Sequence, residues 1–479
     1  MTVYKTPFAI AAILLASLSS GCTSFGDANI SPNDVITLQN PALNVASWSE
    51  QASNDLPDTK WIESFDSDEL SGVIEEALNA NTDVRSALAR LEASRAAAIS
   101  SRAPLFPNIN GSVNANRTEF RNNLQPDTTI YSARPTVNWE LDVWGRVRDT
   151  ATVGDLNADI SLADYAATRL LIAGATADAW FNLIESKLQL ELAERDVKTR
   201  TRAASLTERR FNGGLSPSAD VRLARTSAAS AKAALATRKQ LRTASARQLE
   251  VLLRRYPSAQ IGSPSDLPAL PPLSGSGNPI DIYSKRPDLL AAASQLQVAG
   301  LQVDIAQKNL LPQLTLNADA NFSNPSFDDL FDTENMVLSL LAGLSGPIFN
   351  AGALRADVER NEALLRLQVE SYVSTALNAY FEVENALNAE VHLLEREEAL
   401  RESLEEAEQA ESRTLQRYSE GLATILELLD AQTRAIDAES QLISARTERL
   451  QNRVRFHLAL GGGDLGDTVL LEETIEKNK

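Results

Sequence analysis

The sequence predicts a mixed α/β membrane protein built from an internal tandem repeat, and three observations predict it. Helical periodicity runs over 146–211 and again over 353–419. Each stretch is roughly 100 Å long at 1.5 Å per residue, against three or four turns for an ordinary globular helix. Four runs alternate apolar and polar side chains over about nine residues, the length a tilted membrane-crossing strand needs. The two halves of the chain also match. Gly145 and Arg148 match Gly352 and Arg355, Arg210–Leu215 matches Arg417–Leu422, and Asp220 and Thr226 match Glu427 and Thr433, all at an offset of 207. Pro107 and Pro312 differ by 205. Trp180-Phe181 resembles Tyr380-Phe381 at an offset of 200, which is either a displaced heptad or an accident.

Composition narrows the function classes. Of 479 residues, 43% are apolar, too few for a polytopic helical membrane protein. Aromatics are 5%, which implies thin, Ala-rich packing. With 45 Lys and Arg against 64 Asp and Glu, the net charge of -19 excludes a basic nucleic-acid surface. One cysteine and two histidines exclude a disulfide scaffold, a thiolate cluster and most zinc chemistry. No GxxxxGK loop is present, and Gly461–Gly463 follows a helix instead of joining a strand to one. No Ser/His/acid set or cofactor loop marks an enzyme, and no cofactor is expected.

The first element is a leader. Lys5 precedes the 12 apolar residues of 7–18, too short to span a bilayer, and small residues follow, as in a secretory signal over 1–21. Leu18-Ser19-Ser20-Gly21-Cys22 resembles a bacterial lipobox, although the usual Leu three places before the cysteine is Ser19, with Leu18 one step earlier. The resemblance implies cleavage before Cys22 and a covalent lipid, palmitate included, on that residue. The competing reading is a structural cysteine beside an ordinary signal. After Cys22 no run of 18 apolar residues exists, so a further crossing must be made by strands.

Residues 22–60 read as a polar tether. The first repeat covers 61–256: a helix from Asp68 to Pro104, strands 108–118 and 131–141, the long helix 146–211, and a helix 217–256 with Ser216 as N-cap and Pro217 in its first turn. Leu183, Leu190, Val197 and Ala204 recur every seven residues in the long helix, as a coiled coil or helical barrel requires. A Pro/Gly/Ser linker fills 257–279. The second repeat, 280–464, gives a helix ending at Pro312, strands 313–323 and 336–345, the long helix 353–419 and a helix 424–460, before a tail over 465–479.

In each strand one set of side chains is apolar and the alternate set is rich in Asn, Ser and Thr, as for lipid on one face and water on the other. Ile109, Val113 and Ala115 alternate with Asn110, Ser112 and Asn114; Leu314, Leu316 and Ala318 alternate with Thr315, Asn317 and Asp319. The run 336–344 alternates least cleanly. Four strands cannot close a barrel with a lumen, and open edges are not tolerated in lipid. Either several chains share one barrel, three giving twelve strands, or the two hairpins form a small soluble sheet.

Ordered stretches in both halves carry a resemblance. They are Leu105-Phe106-Pro107, the run Asn138 to Arg146 (NWELDVWGR), Arg210 to Val221 (RFNGGLSPSADV), Arg286-Pro287-Asp288-Leu289, Gly346 to Gly352 (GPIFNAG), Tyr418 to Gln432 (YSEGLATILELLDAQ) and Leu460-Gly461-Gly462-Gly463. From about 60 to 464 the chain resembles the TolC-like outer membrane efflux proteins, lipoprotein branch. The resemblance implies a homotrimer in the outer membrane of a Gram-negative bacterium. A 12-strand β-barrel would continue into a 12-helix periplasmic α-barrel. The trimer would be a passive duct, fed by a periplasmic adaptor (membrane fusion) protein and an inner-membrane RND-type pump, for small molecules such as drugs. The rival systems are a conduit for type I protein secretion or for metal ions. The rival class is a periplasmic coiled-coil lipoprotein without a pore. Two methionines and no His-rich track argue against metal export, and His392 and His457 read as helix-surface residues.

The resemblance also assigns residues. The strand tips near Leu124–Asp127 and Asp328–Glu334 would face outside. Gly214, Leu215, Gly421 and Leu422 would be adaptor-contact tips at the far periplasmic end, with a simple helix-hairpin staple as the alternative. Pore carboxylates would be Asp430, Asp220 and Glu427, with Tyr418 and Arg417 beside them. Three copies around one axis would make a negative constriction that favours cations, and crowding would raise the carboxylate pKa values. Local roles compete: Thr424 and Glu427 fit a capping box, and Asp220 suits a helix first turn. Asp430, among Leu426, Leu429 and Thr433, has the least local reason. Ala423 offers neither charge nor donor where the family often has one, so a gate would draw on Arg417 or Arg222. Trp139 and Trp144 read as membrane-interface anchors, with core packing as the alternative.

Overall fold

The computed structural model describes residues 60–121 and 126–463, together with Val35, Leu43, Val45 and 47–49. The expected leader, Cys22, most of the tether, Leu124 and the 465–479 tail lie outside the described residues. Helices α1 (Asp68–Ala80) and α2 (Thr82–Arg102) lead to β1 (Asn108–Thr118) and β2 (Thr128–Leu141), then to α3 (Arg146–Asn212) and α4 (Ser218–Leu252). After the linker and a single turn at Ile282–Lys285 come α5 (Pro287–Lys308), β3 (Gln313–Asn324), β4 (Val337–Ser345), α6 (Ala353–Glu420) and α7 (Ile425–Ala459).

The helix starts Arg146 and Ala353, the starts Ser218 and Ile425, and the ends Leu252 and Ala459 all keep the offset of 207. No heptad has moved, so the match of Trp180-Phe181 to Tyr380-Phe381 is accidental. Phe181 is fully buried while Phe381 is exposed.

Several boundaries differ from expectation: β2 begins at Thr128 instead of 131, the helix expected to reach Pro312 ends at Lys308, and three more have a visible cause. The first helix is broken at Asn81, which accepts from the Asp83 N–H at 2.8 Å to cap α2 and donates to the Leu252 carbonyl at 2.9 Å. That second bond reaches the end of α4, where no local pattern could announce it. Pro217, not Ser216, is the N-cap of α4 and offers no side-chain acceptor; the Ser216 hydroxyl instead accepts from Arg210 Nε at 3.4 Å. Finally, α4 stops at Leu252, ahead of Arg254 in left-handed backbone at φ 56°.

The described residues form two compact units, and neither is a repeat. One comprises Ala93–Ile160 and Ala292–Val373; the other comprises Ser161–Ala291 with the described parts of 41–92 and 374–463. Each takes segments of both repeats, because the long helices run through both units.

In the first unit the strands form one antiparallel sheet in the order β1-β2-β3-β4. Its register puts Ile109, Val137, Ala318 and Leu340 in one row, and Trp139, Leu316 and Ala342 in another on the same face. Asn110, Thr136, Asp319 and Ser339 form a row on the opposite face, where Arg134 pairs with Asp319 at 3.0 Å. Among the described residues, β1 and β4 each leave one edge unpaired. Much of the apolar face is bare on the outer strands: Ile109, Val113, Leu338, Leu340 and Leu344 are 65–80% exposed. Leaving five such side chains in water forgoes roughly 10 kcal/mol, as much as a typical domain's whole stability. A soluble sheet would cover that face. β4 departs from the pattern by placing Val337 and Leu341 on the polar face, opposite Asn321 and Asn317.

The second unit holds the core. Trp61, Phe65, Leu70 and Ile74 pack with Phe181, Leu183 and Ile184 of α3, Leu249 of α4, and Leu450 and Val454 of α7. The inter-repeat linker is strapped on. Glu250 accepts the Ala259, Gln260 and Ile261 N–H groups, Lys187 donates to the Ser263 and Pro264 carbonyls, and Arg453 donates to the Pro271 carbonyl. Arg453 itself is buried beside Glu390, which also pairs with Arg449 at 2.9 Å.

Of the heptad column expected on α3, only Leu183 is part of the buried seam. Leu190, Val197 and Ala204 are only half-buried, while Gln189, Leu192, Asp196, Ala203 and Thr207 are buried. Polar members of the seam are hydrogen-bonded, as burial demands: Gln189 donates to the Ser440 carbonyl at 2.9 Å, and Asp196 pairs with Arg200 at 2.7 Å.

Candidate functional site

The two hairpin tips are built alike. At the end of α3, the Leu215 N–H returns to the Arg210 carbonyl and the Gly214 N–H to that of Phe211. At the end of α6, Leu422 returns to Arg417 and Gly421 to Tyr418. Gly214 and Gly421 have φ +72° and +82°, the left-handed backbone that this helix stop needs and glycine supplies without strain. Leu215 and Leu422 are thereby pushed outward and are 71% and 66% exposed.

Repeat-related residues do different work here. Phe211 is exposed, but its counterpart Tyr418 is 2% exposed and shares a hydrogen bond of 2.7 Å between its hydroxyl and Thr207 Oγ1. Tyr418 packs with Ala203, Ala224, Ile425 and Leu428. Arg210 reaches from the first tip to the second, donating to the Tyr418 carbonyl at 2.8 Å with its guanidinium 5.0 Å from the Tyr418 ring centre. Arg417 stays within its own turn and donates to the Leu422 carbonyl at 3.1 Å.

The three carboxylates follow the tips. Glu427 closes a capping box: Oε2 accepts the Thr424 N–H at 2.6 Å, and the Glu427 N–H donates to Thr424 Oγ1 at 3.3 Å. Hydrogen bonds from the Thr424 backbone and hydroxyl, aided by the nearby Arg417 charge, lower its pKa. Asp430 is exposed and pairs with Arg434 one turn on at 2.8 Å. Asp220 sits half-buried in the first turn of α4.

A family profile described as "Outer membrane efflux protein" matches residues 73–253 and 280–462. The chain belongs to the outer membrane efflux protein family. It is 30% identical over 438 residues to the pyoverdine export outer membrane protein OpmQ of Pseudomonas putida, covering 86% of this chain and 90% of that one. It is also 30% identical over 429 residues to the toluene efflux pump outer membrane protein TtgI of the same species, covering 85% and 88%. Its fold matches that of the outer membrane protein VceC of Vibrio cholerae with a TM-score of 0.79 at 24% identity, over 85% of this chain and all of that one.

This outer membrane efflux protein is therefore a transport component of the cell outer membrane. Among its predicted site residues, the structure brings Arg417, Tyr418, Leu422 and Glu427 together in one tip. Tyr418 is a correction, since burial inside the chain makes it a packing and hydrogen-bonding residue and not an exposed lining one. Arg210 and Thr207 were missed as its partners. The aligned Arg210 and Arg417 were the available signal, but alignment does not say which arginine crosses over. His457 is a second correction: it is 3% exposed and stacks on Trp61 at 5.8 Å, while His392 is exposed as expected. At the helix–strand junctions Trp139 donates to the Leu105 carbonyl at 3.1 Å and Trp144 to that of Pro312 at 2.6 Å. No metal-binding cluster occurs among the described residues.

Proposed function

We propose that three copies of this chain close a 12-strand barrel in the outer membrane, continuous with a 12-helix periplasmic barrel. The assembly is a passive efflux duct for small molecules such as drugs. The observation that carries this reading is the sheet. It has one largely bare apolar face, one Asn- and Ser-rich face and, among the described residues, two unpaired edges, β1 and β4, which lipid does not tolerate unless another copy pairs with them. The names of the relatives, which export pyoverdine and toluene, support small organic cargo. The lipobox-like residues 18–22 support a lipid on Cys22 and the efflux branch over type I secretion.

In this reading an inner-membrane RND-type pump and a periplasmic adaptor deliver the cargo, and Gly214, Leu215, Gly421 and Leu422 meet the adaptor. Asp430, Asp220 and Glu427 ring the constriction, Arg417 lies beside them, and Tyr418 holds the tip's shape from inside. Trp139 and Trp144 anchor the periplasmic side of the barrel, tied to the junction carbonyls and facing outer membrane lipid. No nucleic acid or cofactor takes part. Imaging of detergent-purified protein tests the assembly. A hollow threefold cylinder with one membrane-embedded end is expected, and a detergent-free monomer would refute it.

A further inference from the structure

The loop joining β3 to β4 does not leave the sheet. It folds back over the apolar face. Phe327 meets Tyr131 edge-on at 5.5 Å, and Phe331 meets Phe322 at 5.8 Å. Tyr131 and Phe322 belong to that face, since they sit in register with Ala115 and Ala133, and Ala133 continues the row of Val113. Between the two loop rings Leu330 is 1% exposed, and on the strand beneath, Ala133 is 3% exposed. The fold-back is held by its own bonds. Asn324 Nδ2 donates to the Asp329 carbonyl at 3.1 Å, the Ser326 N–H donates to Asn324 Oδ1 at 2.9 Å, and the Leu330 N–H donates to the Phe327 carbonyl at 3.2 Å. Yet Phe327 and Phe331 remain 60% and 67% exposed on their outer sides.

Two half-exposed phenylalanines on an ordered loop need a partner, and position selects it. Tyr131 and Phe322 lie on β2 and β3, the inner strands, whereas further copies can join the sheet only at β1 and β4. A copy joined edge to edge would extend the sheet beside this spot, not over it. The loop continues the face that carries Leu338, Leu340 and Leu344. Tyr131 stands eight positions along β2 from Trp139, roughly 26 Å along the strand and roughly 20 Å along the axis of a barrel with 40° tilt. The loop rings lie beside Tyr131 and Phe322 at this level, near the outer limit of an apolar band of about 25 Å between two aromatic girdles.

We propose that Phe327 and Phe331, with Tyr131 and Phe322, form the outer aromatic anchor of the barrel, and that the β3–β4 loop is seated in the outer-leaflet lipid boundary instead of standing free in water. This rests on the barrel reading. Aromatic rings favour that boundary because they bury apolar area while tolerating its polar edge.

Site-directed spin labelling tests it. Labels are placed singly as Phe327→Cys, Phe331→Cys and Leu340→Cys in full-length Cys22→Ser protein. The protein is reconstituted in vesicles of phosphatidylethanolamine and phosphatidylglycerol, and collisions with oxygen and with a water-soluble nickel chelate are measured. Oxygen should dominate at 327 and 331 as it does at 340. Nickel-dominated collisions at both loop positions, with 340 still in lipid, would overturn the proposal and leave the barrel standing. Nickel-dominated collisions at 340 as well would remove the barrel reading and this proposal with it.

Discussion

Arg210 donates to the Tyr418 carbonyl at 2.8 Å while its guanidinium lies 5.0 Å from the centre of the Tyr418 ring, so one side chain of the first tip holds both ring and backbone of the second. A charge-assisted hydrogen bond with a cation–π contact is worth about 1–2 kcal/mol at a partly exposed site. Arg210→Ala should speed amide exchange around Gly421 and Leu422 about tenfold. Tyr418→Phe, which keeps the ring and loses only the bond to Thr207, should have a smaller effect. Unchanged exchange in Arg210→Ala would show that the contact does not hold the tips.

The carboxylate assignment predicts ion selectivity. In planar bilayers the protein should pass a small, cation-preferring current, and Asp430→Ala with Asp220→Ala should weaken that preference. The loss should be larger at low salt, because screening shortens to about 8 Å near physiological ionic strength. Permeability ratios unchanged at both salt concentrations would remove these residues from the constriction without touching the channel itself.

Asp178 on α3 predicts a pH dependence. Burial lifts its pKa from 3.8 to about 6 against the opposing charge of Arg455, and its Oδ1 meets no hydrogen-bond donor among the described residues. Because the folded-state value lies above the unfolded one, the ionised form is the costly one. The penalty is absent below about pH 4, grows through pH 4–6, and is complete above that. Asp178→Asn should therefore stabilise the protein by on the order of 2 kcal/mol at pH 7.5 and by about half as much at pH 5. Thermal midpoints of both proteins at the two pH values check this; an equal gain at both would mean that Asp178 is already ionised in the folded state at pH 5 and that burial does not raise its pKa.

Lipidation is the fourth prediction. Cys22→Ser should abolish acyl labelling and processing at that site, while the barrel still inserts through its own apolar belt. Acyl labelling that persists in the substituted protein would place the lipid elsewhere.

The helix stops at Gly214 and Gly421, the cap formed by Thr424 and Glu427, and the alternation of β1 and β3 were all legible in the chain, because each signal lies within a few residues. The repeat was legible for the same reason, each half restating the other's local signals. The roles of the tip residues were not. Arg210 and Arg417 look equivalent along the chain, as do Phe211 and Tyr418, and only packing decides which arginine crosses and which ring is buried.

Periodicity and caps thus determined where most helices and strands lie, and the apolar rows determined that the sheet has one apolar face. Tertiary structure decided the rest: the break at Asn81, the polar seam of α3, the burial of His457 on Trp61, the strap held by Arg453, and the loop folded back over Tyr131 and Phe322. The physical reason is range. Backbone hydrogen bonding and side-chain period act over three or four residues, and the chain spells them out. A buried contact depends on which distant segment arrives beside it, and that is set only when the whole chain has packed.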